Sequence, residues 1–517
     1  MMKIYINRIS KKVQSDETIQ LFIFIIIFLL IFLFLDYNKI LFFRPQGIHF
    51  TRQTDSLSFV VNYFQNGMIF FQPMVFDLRS FDGKAACEFP IVYYFTAILY
   101  FLFGEKEFLL RLINLTIVFW GFLFLFKLIK QILNDFLLAL LLTFLFFSSG
   151  ILFYYANNFL PDTASLGFIF IGWWSFFRYY QLGRNKYLII GFGFFTLASL
   201  IKVTTLINPL TIIFLFILER FKIINFSKKM VFKKTKIFLI ISVVSIFPVL
   251  IWNLYVLKYN SIYHNVYFLT HIRPIWNLSN NEISVVWDYL TNYWYYSYYY
   301  PSTQHFFFIL LFLSLFFIKK SDKFLTTLSL ILFMGGLSYF LLFFQQFKEH
   351  DYYFLTLLPV IVFLVLNSFF ILKNRFPKFF KSYVFKFFLL ILVALSINLG
   401  KTILERRYTA IDDSAKIGFQ LNGADKYLDS INVSREEKFV VLMDYTPNGS
   451  LYFLNRKGWT LRNDSEKSLI KIKEYIKNGA NYMLITDSVY LQNNNLQDIL
   501  SEKIGSYNGA MVFKIKK

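Results

Sequence analysis

The sequence predicts an α-helical protein that crosses a membrane many times and ends in a small α/β domain outside it. Three observations carry this prediction. Of the 517 residues, 57% are apolar and only 16% are charged, which is more apolar surface than a soluble chain of this length can hide. The excess lies in long uncharged runs such as LFIFIIIFLLIFLFL (21–35) and IFLIISVVSIFPVLIWNLYVL (237–257), near the roughly 20 apolar residues a spanning helix needs. They lack the alternation of barrel strands, and helices are the other structure that satisfies its own backbone in lipid. Finally, the basic residues behind a net charge of +22 fall in short blocks between the runs, among them KKMVFKKTK (228–236), KKSDK (319–323) and KNRFPKFFK (373–381). Such blocks mark cytoplasmic loops that meet anionic headgroups. This distribution argues against a nucleic-acid partner.

The first run follows the basic segment KIYINRISKK, as in a signal peptide, but LDYNKILFFRP after it offers no small-residue cleavage site. It reads as a retained anchor. Charge then sets the number of spans. Counting every apolar run gives twelve and sends KLIKQ (127–131) and the blocks at 228–236 and 373–381 outside. Laying FPIVYYFTAILYFLF (89–103) along the outer interface, which suits Pro90, Tyr93, Tyr94 and Tyr100, removes the conflict. Eleven spans follow, near 19–36, 107–127, 134–155, 163–180, 186–201, 203–219, 237–257, 304–318, 324–346, 352–373 and 382–400. The expected setting is the inner (plasma) membrane of the cell, with the N-terminus cytoplasmic. The first external segment (37–106), ANNFLPD (156–162), the turn at Lys202, loop 258–303, FKEHD (347–351) and the tail 401–517 then face outward.

The tail is more polar. KFVVLMD (438–444), SLYFLN (450–455), NYMLITD (481–487) and MVFKIK (511–516) read as strands, and SLIKIKEYIKNGA (468–480) as a helix with a glycine stop. Together they predict an extracytoplasmic α/β domain over 401–517, beside a transmembrane domain over 1–400.

Ionisable residues beside a membrane are informative because burying them is costly. Asp55 in HFTRQTDSLSFVVNYFQNG, Glu88 before Pro90, Asp162 in NNFLPDTA, Lys202 in TLASLIKVTTLINPL, and HDYY (350–353) all fall on one face of a topology derived without them. A transporter more naturally holds its charges near the bilayer midplane, whereas a ring at one surface fits chemistry on a headgroup. Plainer readings stand beside this one. Asp55 serves equally as a carboxylate at a helix N-terminus, and Lys202 as a lysine snorkelling at a span end. The aromatic run WDYLTNYWYYSYYYPS (287–302) reads first as an interfacial belt. The single cysteine, Cys87, excludes an intrachain disulfide and any cysteine metal cluster. No H-x-x-x-H or D-x-D spacing occurs, so no cofactor is expected, and a divalent metal is possible but not favoured.

The ordered set R-Q-T-D (52–55), Glu88-x-Pro90, LFGEKEFLLRLINL (102–115), P-D-x-A (161–164), I-K-x-T (201–204) and H-D-Y-Y-F-L-x-L-L-P (350–359) resembles the GT-C glycosyltransferases. The nearest group is that of the protein O-mannosyltransferases and aminoarabinose transferases of glycosyltransferase family 39. The resemblance implies a GT-C-like fold of about eleven transmembrane helices plus juxtamembrane helices. It implies a polyprenyl-phosphate-linked sugar as donor, with an acceptor glycan, lipid or protein on the extracytoplasmic face. It casts Asp55 as the catalytic carboxylate of an inverting transfer, with Glu88 and Asp162 supporting it. Arg52, Asp351 and Tyr352 are expected in substrate binding. Lys202 leads the candidates for stabilising the departing phosphate, followed by Arg273 and His350. The alternatives are an envelope polysaccharide polymerase or ligase, a lipid-linked sugar flippase, or a noncatalytic scaffold of the same fold.

Overall fold

A computed structural model describes residues 16–226, 230–265, 267–268, 272–410 and 413–516. The basic segment KIYINRISKK and part of the 228–236 block lie outside these residues. All eleven expected spans are helical. Seven helices are long and apolar enough to cross a bilayer: Glu17–Phe34, Phe108–Leu133, Val203–Arg220, Thr235–Ile262, Lys323–Leu342, Asp351–Arg375 and Tyr383–Thr409. The run expected at 134–155 is a pair, Phe136–Phe147 and Gly150–Ala156, bent by 78°, with Ser148 and Ser149 at the break. The other three are Asp162–Leu182, Asn185–Ile201 and Pro301–Phe316.

Six of the seven long helices bury one side and present large apolar groups on the other, whereas Asp351–Arg375 is mostly buried within the bundle. In Glu17–Phe34, Phe24, Phe28 and Ile31 are buried while Phe22, Leu29 and Leu33 are exposed. Rows of exposed leucine and phenylalanine on this scale are stable against lipid tails, not water. With no hydrophobic drive between helices in lipid, close contact comes from small residues. A Cβ on Gly121 would fall 2.4 Å from the Cα of Gly167, so the helices carrying these glycines meet backbone to backbone.

The expected interfacial segment is the helix Ile91–Phe103. Its 13 residues reach about 20 Å, short of a hydrocarbon core of about 30 Å. Val92, Tyr93, Ala97 and Tyr100 face inward, and Phe95, Phe101 and Leu102 face outward. Beside it lies Phe50–Gln65, a helix buried along almost its whole length.

The tail forms a five-stranded sheet in the order β2-β1-β3-β5-β4. Strands β1 (Lys438–Leu442), β2 (Gly458–Leu461) and β3 (Ala480–Ile485) run parallel, while β5 (Ala510–Ile515) pairs antiparallel with both β3 and β4 (Leu500–Tyr507). The segment 450–455, expected as a strand, is instead the helix Gly449–Leu454. The reason is topological: parallel neighbours β1 and β2 require the chain to cross back over the sheet, and this apolar run makes the crossing. A short apolar run alone does not distinguish a buried strand from a buried helix. Strands β2 and β4 escaped the sequence reading, the first being four residues long and the second largely polar. The final apolar helix runs past residue 400 to Thr409.

The sheet does not stand apart. The Gly458 amide donates to the Phe76 carbonyl at 3.1 Å, and the Leu78 amide donates to the Gly458 carbonyl at 2.8 Å. Phe50 and Leu57 share one apolar cluster with Phe439, Leu451 and Phe453. The segment between the first two apolar helices is therefore clamped between the bundle and the sheet.

Candidate active site

Asp55 lies in the second turn of the Phe50–Gln65 helix, which starts after His49, a residue in the left-handed region at φ 58°. Helical spacing puts Arg52 on the same side, 3.8 Å from the Asp55 carboxylate. Arg52 also donates to Glu88 at 2.9 Å, and the Tyr93 hydroxyl donates to Glu88 at 2.5 Å. Two groups from distant parts of the chain complete the surroundings of Asp55. The Tyr267 hydroxyl donates to it, and the Asn448 amide approaches it at 3.4 Å while donating to Ser58 Oγ at 2.6 Å.

The two neighbouring carboxylates behave oppositely. Burial pushes Asp55 up to about 7, against the pull of Arg52, Tyr267 and Asn448. Glu88 is slightly less buried, and Arg52 and the hydrogen bond from Tyr93 outweigh the effect of burial and hold it at about 2. A pair of acids driven apart by their environments divides the labour: one is permanently ionised, the other can exchange a proton near neutrality.

A second group gathers at the tops of three helices. Asn185–Ile201 ends at Lys202, whose backbone is extended, and its ammonium meets Asp162, the first residue of Asp162–Leu182, at 2.6 Å. Burial disfavours the Lys202 charge, yet Asp162 more than compensates and raises its pKa. The ammonium also lies 4.9 Å from the Tyr352 ring centroid and 4.3 Å from that of Tyr353. His350 adjoins this group and lies within the fields of Lys202, Arg52 and His49. Burial first, and then the neighbouring charges including Lys202 and Arg52, depress it to about 3. The surroundings of His350 thus favour the neutral imidazole, where the sequence leads to the expectation of a cation. Its Nδ1 is buried without a hydrogen-bond partner among the described residues.

Asp55, Glu88, Asp162, Arg52, Lys202, His350 and Tyr352 therefore come together. Asp351 lies beneath them and is fully committed: it is ion-paired with Arg407, accepts from Tyr155 at 2.6 Å and lies 3.3 Å from His49 Nε2. Its carboxylate is completely buried among these partners. Arg273 is not brought in; it forms a half-exposed pair with Glu282 at 3.0 Å. Sequence reasoning missed His49, Tyr93, Tyr155, Tyr267, Arg407 and Asn448. His49 and Tyr93 flank the motifs that were found, so a wider window would have reached them. The others carry no local signal.

Below Lys202 an apolar groove of about 610 Å³ runs between the 203–220 and 323–342 helices. Thr204 and Tyr339 lie among its lining residues, with Leu210, Phe214 and Met334.

A family model described as dolichyl-phosphate-mannose-protein mannosyltransferase matches residues 87–252, a stretch holding Glu88, Asp162 and Lys202 but neither Asp55 nor Asn448. Among solved structures, ArnT from Cupriavidus metallidurans bound to undecaprenyl phosphate is similar, with TM-score 0.56 and 10% identity, covering 96% of this chain and 98% of that one. The apo state of the same protein gives TM-score 0.56 and 10% identity, over 95% and 97%. No curated protein matches the chain in sequence. These findings bear out the helical GT-C fold with its C-terminal sheet domain and the resemblance to the O-mannosyltransferase and aminoarabinose-transferase group. The family match also bears out the expectation of a membrane glycosyltransferase.

Proposed function

We propose that this chain transfers a sugar from a polyprenyl-phosphate donor to a hydroxyl of an acceptor glycan, lipid or protein on the extracytoplasmic face, with Asp55 as the catalytic carboxylate. The observation that carries this reading is geometric: a buried Asp55 stands beside the Arg52–Glu88 pair, in a site shared with the Lys202–Asp162 pair, and burial pushes Asp55 up while Arg52 holds Glu88 down. In the step envisaged, Asp55 takes the proton of the acceptor hydroxyl as that oxygen bonds to the anomeric carbon. The bond from that carbon to the phosphate oxygen breaks on the opposite side, and the lipid phosphate leaves with the electron pair. One displacement inverts the anomeric centre.

The remaining residues serve that step. Lys202 and the neutral His350 face the phosphate as negative charge grows on it, stabilising the transition state more than the ground state. Glu88 and Asp162, expected from sequence in the catalytic set, are positioning residues: Glu88 orients Arg52, and Asp162 orients Lys202. The apolar groove under Lys202 has a lining suited to the first isoprene units of a polyprenyl chain. That ArnT has been solved with undecaprenyl phosphate supports such a donor. The basic blocks support an orientation with this site outside the cell. A flippase would more naturally hold its ionisable groups near the bilayer midplane than gathered at one surface.

The test is complementation of a deletion strain with the natural gene or Asp55→Asn at matched expression. Envelope glycans, glycolipids and glycoproteins are compared by mass spectrometry. A sugar-sized mass lost on deletion should return with aspartate and stay absent with asparagine. Full restoration by asparagine would remove Asp55 from the chemistry.

A further inference from the structure

A second polar cavity, of about 340 Å³, lies in the sheet domain beyond the C-terminal ends of β1 and β2. In open α/β sheets the crevice at the carboxyl ends of parallel strands is where ligands collect. Four cations line this one, Arg79, Arg462, Lys467 and Lys471, against a single carboxylate, Asp444. Asp444 is spent internally: it accepts from the Thr446 amide at 2.7 Å, the Thr446 hydroxyl at 2.8 Å and the Ser450 amide at 2.9 Å. Arg79 is held by Asp77. Among the described residues Arg462, Lys467 and Lys471 form no ion pair. Lys467 and Lys471 stand one turn apart at the start of Glu466–Lys477, where two like charges repel. The positive end of the helix dipole adds to them.

Two links join this cavity to Asp55. The Arg79 guanidinium lies 5.6 Å from the Tyr267 ring centroid, and the hydroxyl of that same tyrosine donates to Asp55. The cavity wall at Thr446 and Pro447 runs directly into Asn448, which reaches Asp55 at 3.4 Å. One aromatic ring separates the cavity from the carboxylate.

We propose that this cavity is an anion subsite for the acceptor: it takes a phosphomonoester group of the acceptor on Arg462, Lys467 and Lys471 and so presents a neighbouring hydroxyl to Asp55. The acceptor role rests on the transferase reading above; the anion site does not. Full-length protein in phosphatidylcholine nanodiscs should bind glycerol 3-phosphate saturably by calorimetry. Arg462→Ala with Lys471→Ala should weaken that binding at least tenfold, and Arg462→Lys much less, while undecaprenyl phosphate binding stays unchanged in both. Nanodiscs containing phosphatidic acid distinguish the source of the phosphate. Displacement of glycerol 3-phosphate would assign the site to a lipid headgroup, and its absence to a soluble or glycan-borne phosphomonoester. No saturable binding, or binding indifferent to the double substitution, overturns the proposal. If Asp55→Asn sustains transfer while the double substitution still abolishes glycerol 3-phosphate binding, the transferase mechanism falls and the anion site stands.

Discussion

Replacing Asp55 by asparagine should stabilise the protein at pH 8 while abolishing transfer. The unfolded chain releases this proton near pH 3.9, whereas the folded protein holds it to about 7. Between those values the folded state carries a proton the unfolded state has lost, so stability falls as pH rises through the window and levels off above it. The gap of about three units at 1.36 kcal/mol each makes the ionised carboxylate cost about 4 kcal/mol. Asparagine has the same shape and can still accept from Tyr267, but it never ionises. Its advantage over aspartate should therefore grow by about 3 kcal/mol between pH 5 and pH 8.

The assay is the apparent melting temperature of the detergent-solubilised protein and its Asp55→Asn form at the two pH values. An effect of this size is worth a few degrees in a chain of this length. The same titration predicts that kcat/KM of the natural enzyme falls about tenfold per pH unit below about 7. An asparagine advantage that did not change with pH, or that shrank towards pH 8, would refute the claim that burial holds Asp55 neutral. The general-base role would then lose its physical basis.

Three other substitutions probe separate parts of the construction. Lys202→Met strips the cation from buried Asp162 and should cost about 3–5 kcal/mol of stability; adding Asp162→Asn should restore the melting temperature but not transfer. Asn448→Asp places a like charge beside Asp55, so the pH–rate profile should move to the alkaline side by about one unit, and an unmoved profile would count against their contact. Gly458→Ala puts a Cβ 2.0 Å from the Phe439 carbonyl oxygen, at the residue where the sheet also bonds to Phe76 and Leu78. Overpacking there should cost about 1–3 kcal/mol or more, read as a lower melting temperature and faster proteolysis of the tail.

The spans were legible because lipid imposes one requirement on every residue of a run, and that requirement survives as composition. The site was half legible for a related reason. Asp55, Glu88, Asp162 and Lys202 are charges where charge is expensive, so each is conspicuous alone. Asn448 and Tyr267 are ordinary residues whose meaning is purely positional, separated from Asp55 by 393 and 212 residues. Asn448 even forms part of a glycosylation sequon, Asn448-Gly449-Ser450, yet it is completely buried and hydrogen-bonded to Ser58. The 450–455 segment misled because its apolar run answers to two periods, and only the parallel pairing of β1 and β2 chooses between them.

Arg407 shows why such long-range groups are retained. A buried ion pair gains little stability over an apolar pair of equal volume, so the Asp351–Arg407 contact is a poor explanation for the strength of the fold. What it does is fix positions. Asp351 opens the helical segment directly after His350, Arg407 belongs to the last turn of the final apolar helix, and His49 precedes the helix that carries Asp55. Leaving either charge without its partner is costly, so these three segments are held to the arrangement in which all the partners meet. That arrangement sets His350 and Tyr352 beside Lys202 and fixes where the Asp55 helix starts. The brace and the site are therefore one device, and the specificity of buried charge positions a carboxylate that burial itself has made reactive.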